Sequence, residues 1–407
     1  MKYSTYFTMK EADVIDYTLT KLNVFPEHAN LTCTEIGDGN LNYVFRLVDE
    51  ESQRSIIIKQ AGPVARISDE FKVSPDRNRI ESEILKIHNE LAPGLVPEVY
   101  HYDPIMNCCV MEDLSDHVIM RTALLDRQQF PLFVDHITTF MANTLLLTSD
   151  VVMNHKEKKE RVKAFINPDL CEITEDLVYT EPFYDCARND VYEPIRAFAS
   201  EHLWSDKALL LETAKMKYEF MTHAQSLIHG DLHTGSIFVK QDSTKVIDPE
   251  FAFYGPAGYD VGNVVANLIF AYVNAECTME SGDLKEKHKE WLADTIQEIV
   301  DRFQFKFLAL WSTSVRDKTA AYPGFDRYYL DSIMQDAAGV AGLELCRRTL
   351  GIAHVKDIAA IADAAARERA ERMCLMMGKR LIMERSDMIK GSDYFRIISS
   401  SSEMYSR

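Results

Sequence analysis

Near Asp113 the hydrophobic pattern of this chain changes period, and few folds accommodate such a change. Before it, apolar residues cluster in short runs at 31–36, 42–48, 55–60, 99–102 and 108–111, separated by Gly- and Asp-rich turns, which predicts strands. Two helical patterns interrupt them. One spans 10–22, with Val14, Ile15, Leu19 and Leu22 on one face; the other spans 76–91, burying Ile80, Ile84, Leu85, Ile87 and His88. Beyond Asp113 helical periodicity dominates, at 130–148, 191–203, 207–226, 259–275, 291–307, 328–350 and 358–384. A single island at 227–254 returns to short β runs, around 237–239 and 245–247. Residues 399–407 are polar and read as a frayed tail. The pattern predicts an α+β chain in two lobes. Residues 1–113 would form a small antiparallel-sheet lobe with one main helix, and 114–407 a large, mainly helical lobe.

Composition bounds the partners. Lys and Arg number 45 against 63 Asp and Glu, a net charge of −18, which argues against a nucleic-acid backbone or an anionic membrane as the main partner. An anionic ligand must then be held by a local cationic or backbone-donor site. No apolar run is long enough to span a bilayer, and residues 1–13 lack the apolar core of a signal peptide, so a soluble, cytoplasmic protein is expected. The eight cysteines include no C-x-x-C pair. Cys108 and Cys109 sit in an apolar run, as expected of reduced, buried thiols.

The residues with chemistry gather in three places. His229-Gly230-Asp231-Leu232-His233-Thr234-Gly235-Ser236 follows an apolar approach and presents one carboxylate among histidines and glycines. Alone, it also reads as an ordinary turn. A short strand further on ends in Val246-Ile247-Asp248-Pro249-Glu250, whose two carboxylates suit Mg²⁺, a hard ion that prefers oxygen. A loop aspartate that orients an attacking hydroxyl, followed by a strand-end metal aspartate, is the arrangement used for phosphoryl transfer. In the small lobe, Gly37, Asp38, Gly39 and Asn40 join two β runs and would let backbone N–H groups approach phosphates, although hairpins use the same residues. Lys59 ends the next apolar run; a buried lysine there needs an anion, and ATP phosphates supply one. Glu81 or Glu83, on the following helix, would hold Lys59, with helix phase favouring Glu81. In the connector Glu112-Asp113-Leu114, the Glu112 carbonyl and the Leu114 N–H are the candidates to meet the adenine edge.

Together these motifs resemble those of the 5-methylthioribose kinases, a branch of the aminoglycoside-phosphotransferase and choline-kinase superfamily. The resemblance implies a two-lobed protein-kinase-like fold, ATP and Mg²⁺ as cofactors, and Asp231 as the catalytic residue. ATP would meet Gly37, Asp38, Gly39, Asn40, Lys59, Glu81, Glu112, Asp113, Leu114, Asp248, Pro249 and Glu250, with Asp248 and Glu250 holding the metal. It further implies a homodimer that phosphorylates the anomeric hydroxyl of methylthioribose in methionine salvage. An aminoglycoside, choline or homoserine is the alternative acceptor. Two departures from the wider superfamily favour the narrower branch: Ser236 stands where an asparagine usually binds a second metal, and Asp248-Pro249-Glu250 replaces Asp-Phe-Gly. Glu250 would then make up for the missing asparagine. Arg347 and Arg348, which by composition alone read as a solvated helix face, are implied to face the sugar beside Asp231 and His233. The family often has a tryptophan before the Glu81 helix; here Phe71, in residues 67–72, stands in its place.

Overall fold

A computed structural model of the chain describes residues 2–36, 42–62 and 73–405. The small lobe is a five-stranded antiparallel sheet. After helix α1 (Glu11–Lys21), strands β1 (Leu31–Glu35), β2 (Asn42–Asp49) and β3 (Ser55–Ala61) run as a meander. Helix α2 (Arg77–Leu91) then leads into β4 (Val99–Asp103) and β5 (Cys108–Glu112), giving the spatial order β1-β2-β3-β5-β4. Strand alternation divides the faces of β3. Ile56 and Ile58 join Phe45, Leu47 and Val110 in a core closed by Val14 and Tyr17 of α1. Ile57 and Lys59 face the other way, towards α2 and the cleft between the lobes.

The large lobe begins with β6 (Val118–Ile119), α3 (Met120–Leu125), α4 (Phe133–Leu147), α5 (His155–Ala164), α6 (Pro168–Leu177), α7 (Arg196–Ala199) and α8 (Lys207–Thr222). Short strands β7 (Ser226–Ile228), β8 (Ile237–Lys240), β9 (Ser243–Val246) and β10 (Phe253–Gly255) form the island. Five helices follow: α9 (Gly258–Thr278), α10 (Asp283–Ser314), α11 (Phe325–Leu350), α12 (Lys356–Ala359) and α13 (Ala364–Met383), with α14 (Gly391–Tyr405) last. Helix α9 is mainly apolar and is buried from Gly258 to Cys277, and its buried polar side chains Asp260, Asn267 and Asn274 are hydrogen-bonded. β7 pairs with β10 and β8 with β9, all antiparallel, so the loops leaving β7 and β9 lie side by side. Ile80 and Ile84 of α2 pack on Leu227, Ala252, Tyr254 and Phe165, fixing the small-lobe helix against those strands.

Several helices differ from the pattern expected of them. The segment 191–203 is a succession of turns, with a 3₁₀ turn at Glu193–Ile195, α7, and a π turn at Ser200–Trp204; Pro194 cannot continue a helical ladder. Helix α8 stops at Thr222 because Ser226 is needed in β7. The helix expected over 358–384 is split, and Asp363 caps the second piece by accepting from Ala366 N at 2.7 Å. The described part of the tail, to Tyr405, is no frayed end. It lies in α14, whose Tyr394, Ile397, Ile398 and Ser401 recur at helical spacing and are buried, while Asp301 accepts from Gly391 N at 2.9 Å. Helices α5 and α6 had no counterpart in the sequence pattern. Lys158 is the only buried residue of α5, so that helix carries no apolar stripe. None of the eight cysteines is in a disulfide, and among the described residues no helix is long and apolar enough to cross a membrane.

Candidate active site

Lys59 stands at the cleft with its ammonium between two carboxylates. Its Nζ lies 2.9 Å from Glu81 Oε1 and 2.8 Å from Glu81 Oε2, and it also binds Asp248 Oδ1. Burial opposes a charge on Lys59, but Asp248 and Glu81 outweigh it and raise its pKa. Glu83, the other candidate partner, instead pairs with Arg79 at 2.8 Å on the same helix. One turn before Glu81, the fully buried Arg77 ties four segments together. Its Nη1 donates to the carbonyls of Gly62, Val73 and Ser74 at 3.1, 3.3 and 3.0 Å, and its Nη2 to Asn42 Oδ1 at 3.0 Å. Its Nε faces Glu250 Oε2 at 3.4 Å.

The loops leaving β7 and β9 are locked to one another. His229 Nε2 donates to the Ile247 carbonyl at 2.9 Å, and His229 Nδ1 accepts from Asp231 N at 3.3 Å. Asp260, at the start of α9, accepts from His229 N at 2.7 Å and Gly230 N at 3.0 Å. Gly230 has φ +81°, and a Cβ there would overlap the Phe251 carbonyl, so only glycine lets the two loops touch. Asp248 also has positive φ, +66°, a strained conformation that aims its carboxylate into the cleft beside Lys59. Burial would raise the Asp248 carboxyl; Lys59 holds it below the usual range. Asp248, Glu250 and Glu81 bring carboxylate oxygens within 4.8 Å of one another, a donor set of the hard-oxygen kind that Mg²⁺ prefers. They are not equivalent. Asp248 is 42 % exposed, whereas Glu250 is buried, with Oε2 accepting from Asn42 Nδ2 at 2.9 Å.

Asp231 projects on the far side of the same cleft. Its Oδ2 is 3.3 Å from His233 Nε2, and its Oδ1 is 3.5 Å from an Nη2 of both Arg347 and Arg348. Burial pushes the Asp231 carboxyl up, but His233 and the two arginines hold it well below the usual carboxylate range. Burial, reinforced by Arg121 and Arg348, lowers His233, which is therefore neutral at pH 7. Its Nε2–H then faces Asp231, and Nδ1 accepts from Ser236 Oγ at 3.2 Å. The arginines are buried, not solvated, because Glu344 lies beneath both: it accepts from Arg347 Nε and, at 2.9 Å, from Arg348 Nε. Burial alone would raise Glu344, yet the arginine pair draws it down to about 2.

At the connector, side chains are committed to protein partners. Asp113 accepts from Arg46 Nε at 2.6 Å, and Glu112 binds Lys245 Nζ at 3.0 Å. The Glu112 N–H donates to the Glu98 carbonyl at 2.9 Å, and the Leu114 carbonyl accepts from His117 N at 2.9 Å. Pro249 sits between Asp248 and Glu250, where its ring fixes φ and removes an N–H donor. Gly37, Asp38, Gly39 and Asn40, and residues 67–72 with Phe71, lie outside the described residues.

Comparison with known proteins agrees with this geometry. The profile of the phosphotransferase enzyme family matches residues 32–276. A methylthioribose kinase of Bacillus pumilus (strain SAFR-032) is 40% identical over 399 residues, 98% of each chain. Those of Geobacillus kaustophilus (strain HTA426) and Geobacillus thermodenitrificans (strain NG80-2) are 43% and 44% identical, over 94% and 93% of each chain. The chain belongs to the phosphotransferase enzyme family.

Within a phosphotransferase of this family, three residues that the motifs did not single out hold the ones that they did. Asp260 and Glu344 anchor the Asp231 loop and the arginine pair, and Arg77 anchors Glu250. The sequence carried a faint signal for Glu344 alone. It precedes Arg347 and Arg348 by three and four positions, the spacing of neighbours on one helix face.

Proposed function

We propose that this chain is a methylthioribose kinase, transferring the γ-phosphoryl group of ATP to the anomeric 1-hydroxyl of S-methyl-5-thioribose in methionine salvage. The observation that carries this reading is the position of Asp231, an ionised carboxylate with an arginine pair 3.5 Å away on one side and the Lys59–Asp248 cluster across the cleft. Asp231 accepts the hydrogen bond of the 1-hydroxyl, aligns its oxygen and takes its proton as the new O–P bond forms. The bond from the γ-phosphorus to the β–γ bridging oxygen breaks, and its electron pair leaves with ADP. Lys59 meets the nucleotide phosphates, released for them from part of its present pairing, and Glu81 keeps it oriented. Asp248, with Glu250 beside it, would hold Mg²⁺, which when bound offsets phosphate charge. Arg347 and Arg348 donate to sugar hydroxyls and disfavour a cationic alcohol, since at ~8 Å screening the near charges outweigh the chain's overall −18.

Residues 1–113 then serve as the nucleotide lobe and 114–407 as the lobe for acceptor and metal. The family resemblance extends the reading to a cytoplasmic homodimer acting on small molecules, which sedimentation of the purified chain checks. The test of function is ATP consumption with methylthioribose, ribose, choline and kanamycin. Exclusion of the methylthio group from water is expected to favour methylthioribose over ribose by ~10–200-fold in kcat/KM. Faster turnover of choline or kanamycin overturns the assignment of substrate.

A further inference from the structure

A third guanidinium lies beside the Asp231 loop. Arg121, on α3, is 16% exposed, and both ends of its environment are occupied by anchors. Its Nη2 donates to Asn267 Oδ1 at 2.9 Å, the same oxygen that accepts from Thr234 Oγ1 of the Asp231 loop at 3.2 Å. Its Nε faces Asp357 Oδ2 at 3.5 Å, and Asp357 is itself buried. Nε makes no hydrogen bond at that distance, and Nη1 likewise has no hydrogen-bond acceptor among the described residues. It reaches over Gly235: a Cβ on that residue would stand 3.0 Å from Nη1 and 2.9 Å from Cε1 of His233. Gly235 thus leaves the room in which Arg121 Nη1 and the His233 ring share one side of the loop, and His233 touches Asp231.

The charge arrangement says what this nitrogen awaits. Arg347 and Arg348 are held by Glu344, and Arg121 is held by Asp357 through Nε. With Asp231 ionised, the named groups balance before an acceptor binds. A phosphoryl group arriving on the acceptor oxygen brings negative charge that none of these partners requires. A guanidinium edge presents paired N–H donors matched to phosphate oxygens.

We propose that Arg121 is a binding residue for the transferred phosphoryl group, its Nη1 engaging a phosphate oxygen of the phosphorylated sugar. The assignment rests on the phosphoryl-transfer reading above. It predicts a split between ligands that differ only by that group. Arg121→Met in the full-length protein is expected to weaken binding of methylthioribose 1-phosphate by ~10–100-fold, as for loss of one charge-assisted hydrogen bond, measured by calorimetry or product inhibition. Methylthioribose binding and the KM for ATP should move by less than about 3-fold on the same basis. Arg121→Lys, a point charge without the planar fork, should recover part of the loss. Should Arg121→Met fail to fold, Arg121→Gln, which keeps a polar head beside Asn267 and Asp357 without the charge, should show the same selective loss. Equal loss of sugar and sugar phosphate, or unchanged binding of the sugar phosphate, overturns the proposal. A wild-type protein that makes no 1-phosphate overturns the parent reading instead. The anion site is then tested with inorganic phosphate: binding to wild type that is lost in Arg121→Met supports it, and equal binding to both overturns it.

Discussion

Asp231 shows how a carboxylate's surroundings select its role. Neutral His233 and two cationic arginines keep its pKa well below the usual range, against the effect of burial. Under the proposed function, such a weak base would do little to remove a proton from the resting hydroxyl and would instead hold it in line until the oxygen–phosphorus bond is forming. Asp231→Asn is accordingly expected to lower kcat on the order of 10²–10⁴-fold with little change in ATP affinity. Near-native turnover would remove Asp231 from its role. In the wild type, the pH profile of kcat should show no acid limb assignable to Asp231 above the normal aspartate range. Glu250 poses a different question, because Arg77 and Asn42 already engage one of its oxygens. If its other oxygen also serves a metal, Glu250→Gln raises the Mg²⁺ concentration for half-maximal activity. Reduced thermal stability with unchanged Mg²⁺ dependence would assign Glu250 to Arg77 alone. Legibility at this scale followed chemistry. Asp231, Asp248 and Lys59 stood in recognisable motifs, whereas Asp260 and Arg77 act through partners 31 and 173 positions distant, as His229–Asp260 and Arg77–Glu250.

Short elements do the positioning. The β7 and β9 loops meet through His229, Asp260 and the contact that Gly230 permits with Phe251. An alanine at 230 would need both φ +81° and space already filled by the Phe251 carbonyl. Gly230→Ala is therefore expected to destabilise the protein by about 1–3 kcal/mol from backbone strain, and to lower kcat more than stability at assay temperature explains. Unfolding midpoints measured alongside kcat separate the two; a variant with native kcat would show that the loops tolerate separation. Strands with clear alternation, such as β2 and β3, and helices with clear stripes, such as α2, were readable from the sequence. Helix α5 was not, since it is held by capping and by one lysine. Asn154 accepts from Lys156 N and Glu157 N, and Lys158 Nζ binds Asp150 with the carbonyls of Ala224 and Gln225. That lysine staples the approach to β7, and no periodicity announces it.

Across the whole molecule, the joint between lobes also governs behaviour in acid. His88 of α2 is 1% exposed, lies edge-on to Phe140 of α4 at 5.0 Å, and has no hydrogen-bond partner at either ring nitrogen among the described residues. Burial, with His229 nearby, lowers its pKa from 6.5 to about 3. The unfolded chain therefore binds the proton first as pH falls. Stability from neutral His88 is complete above pH 6.5 and declines between 6.5 and about 3, at ~1.4 kcal/mol per pH unit for this one group. His88→Leu should match or exceed wild-type stability at pH 7 and lose less between pH 6.5 and 5, as read from urea midpoints. Parallel decline in both proteins would exclude His88 as the source. The sequence alone determined the two lobes, the sheet, and which charged residues stand at the cleft, because hydrophobic period and local motif are properties of neighbouring residues. Tertiary structure decided the rest: that Glu81 and not Glu83 meets Lys59, that Arg347 and Arg348 are buried over Glu344, and that Gly391–Tyr405 form a docked helix. Each depends on a desolvated charge or an apolar face finding its partner across a long stretch of chain, and only the folded packing specifies which partner is near.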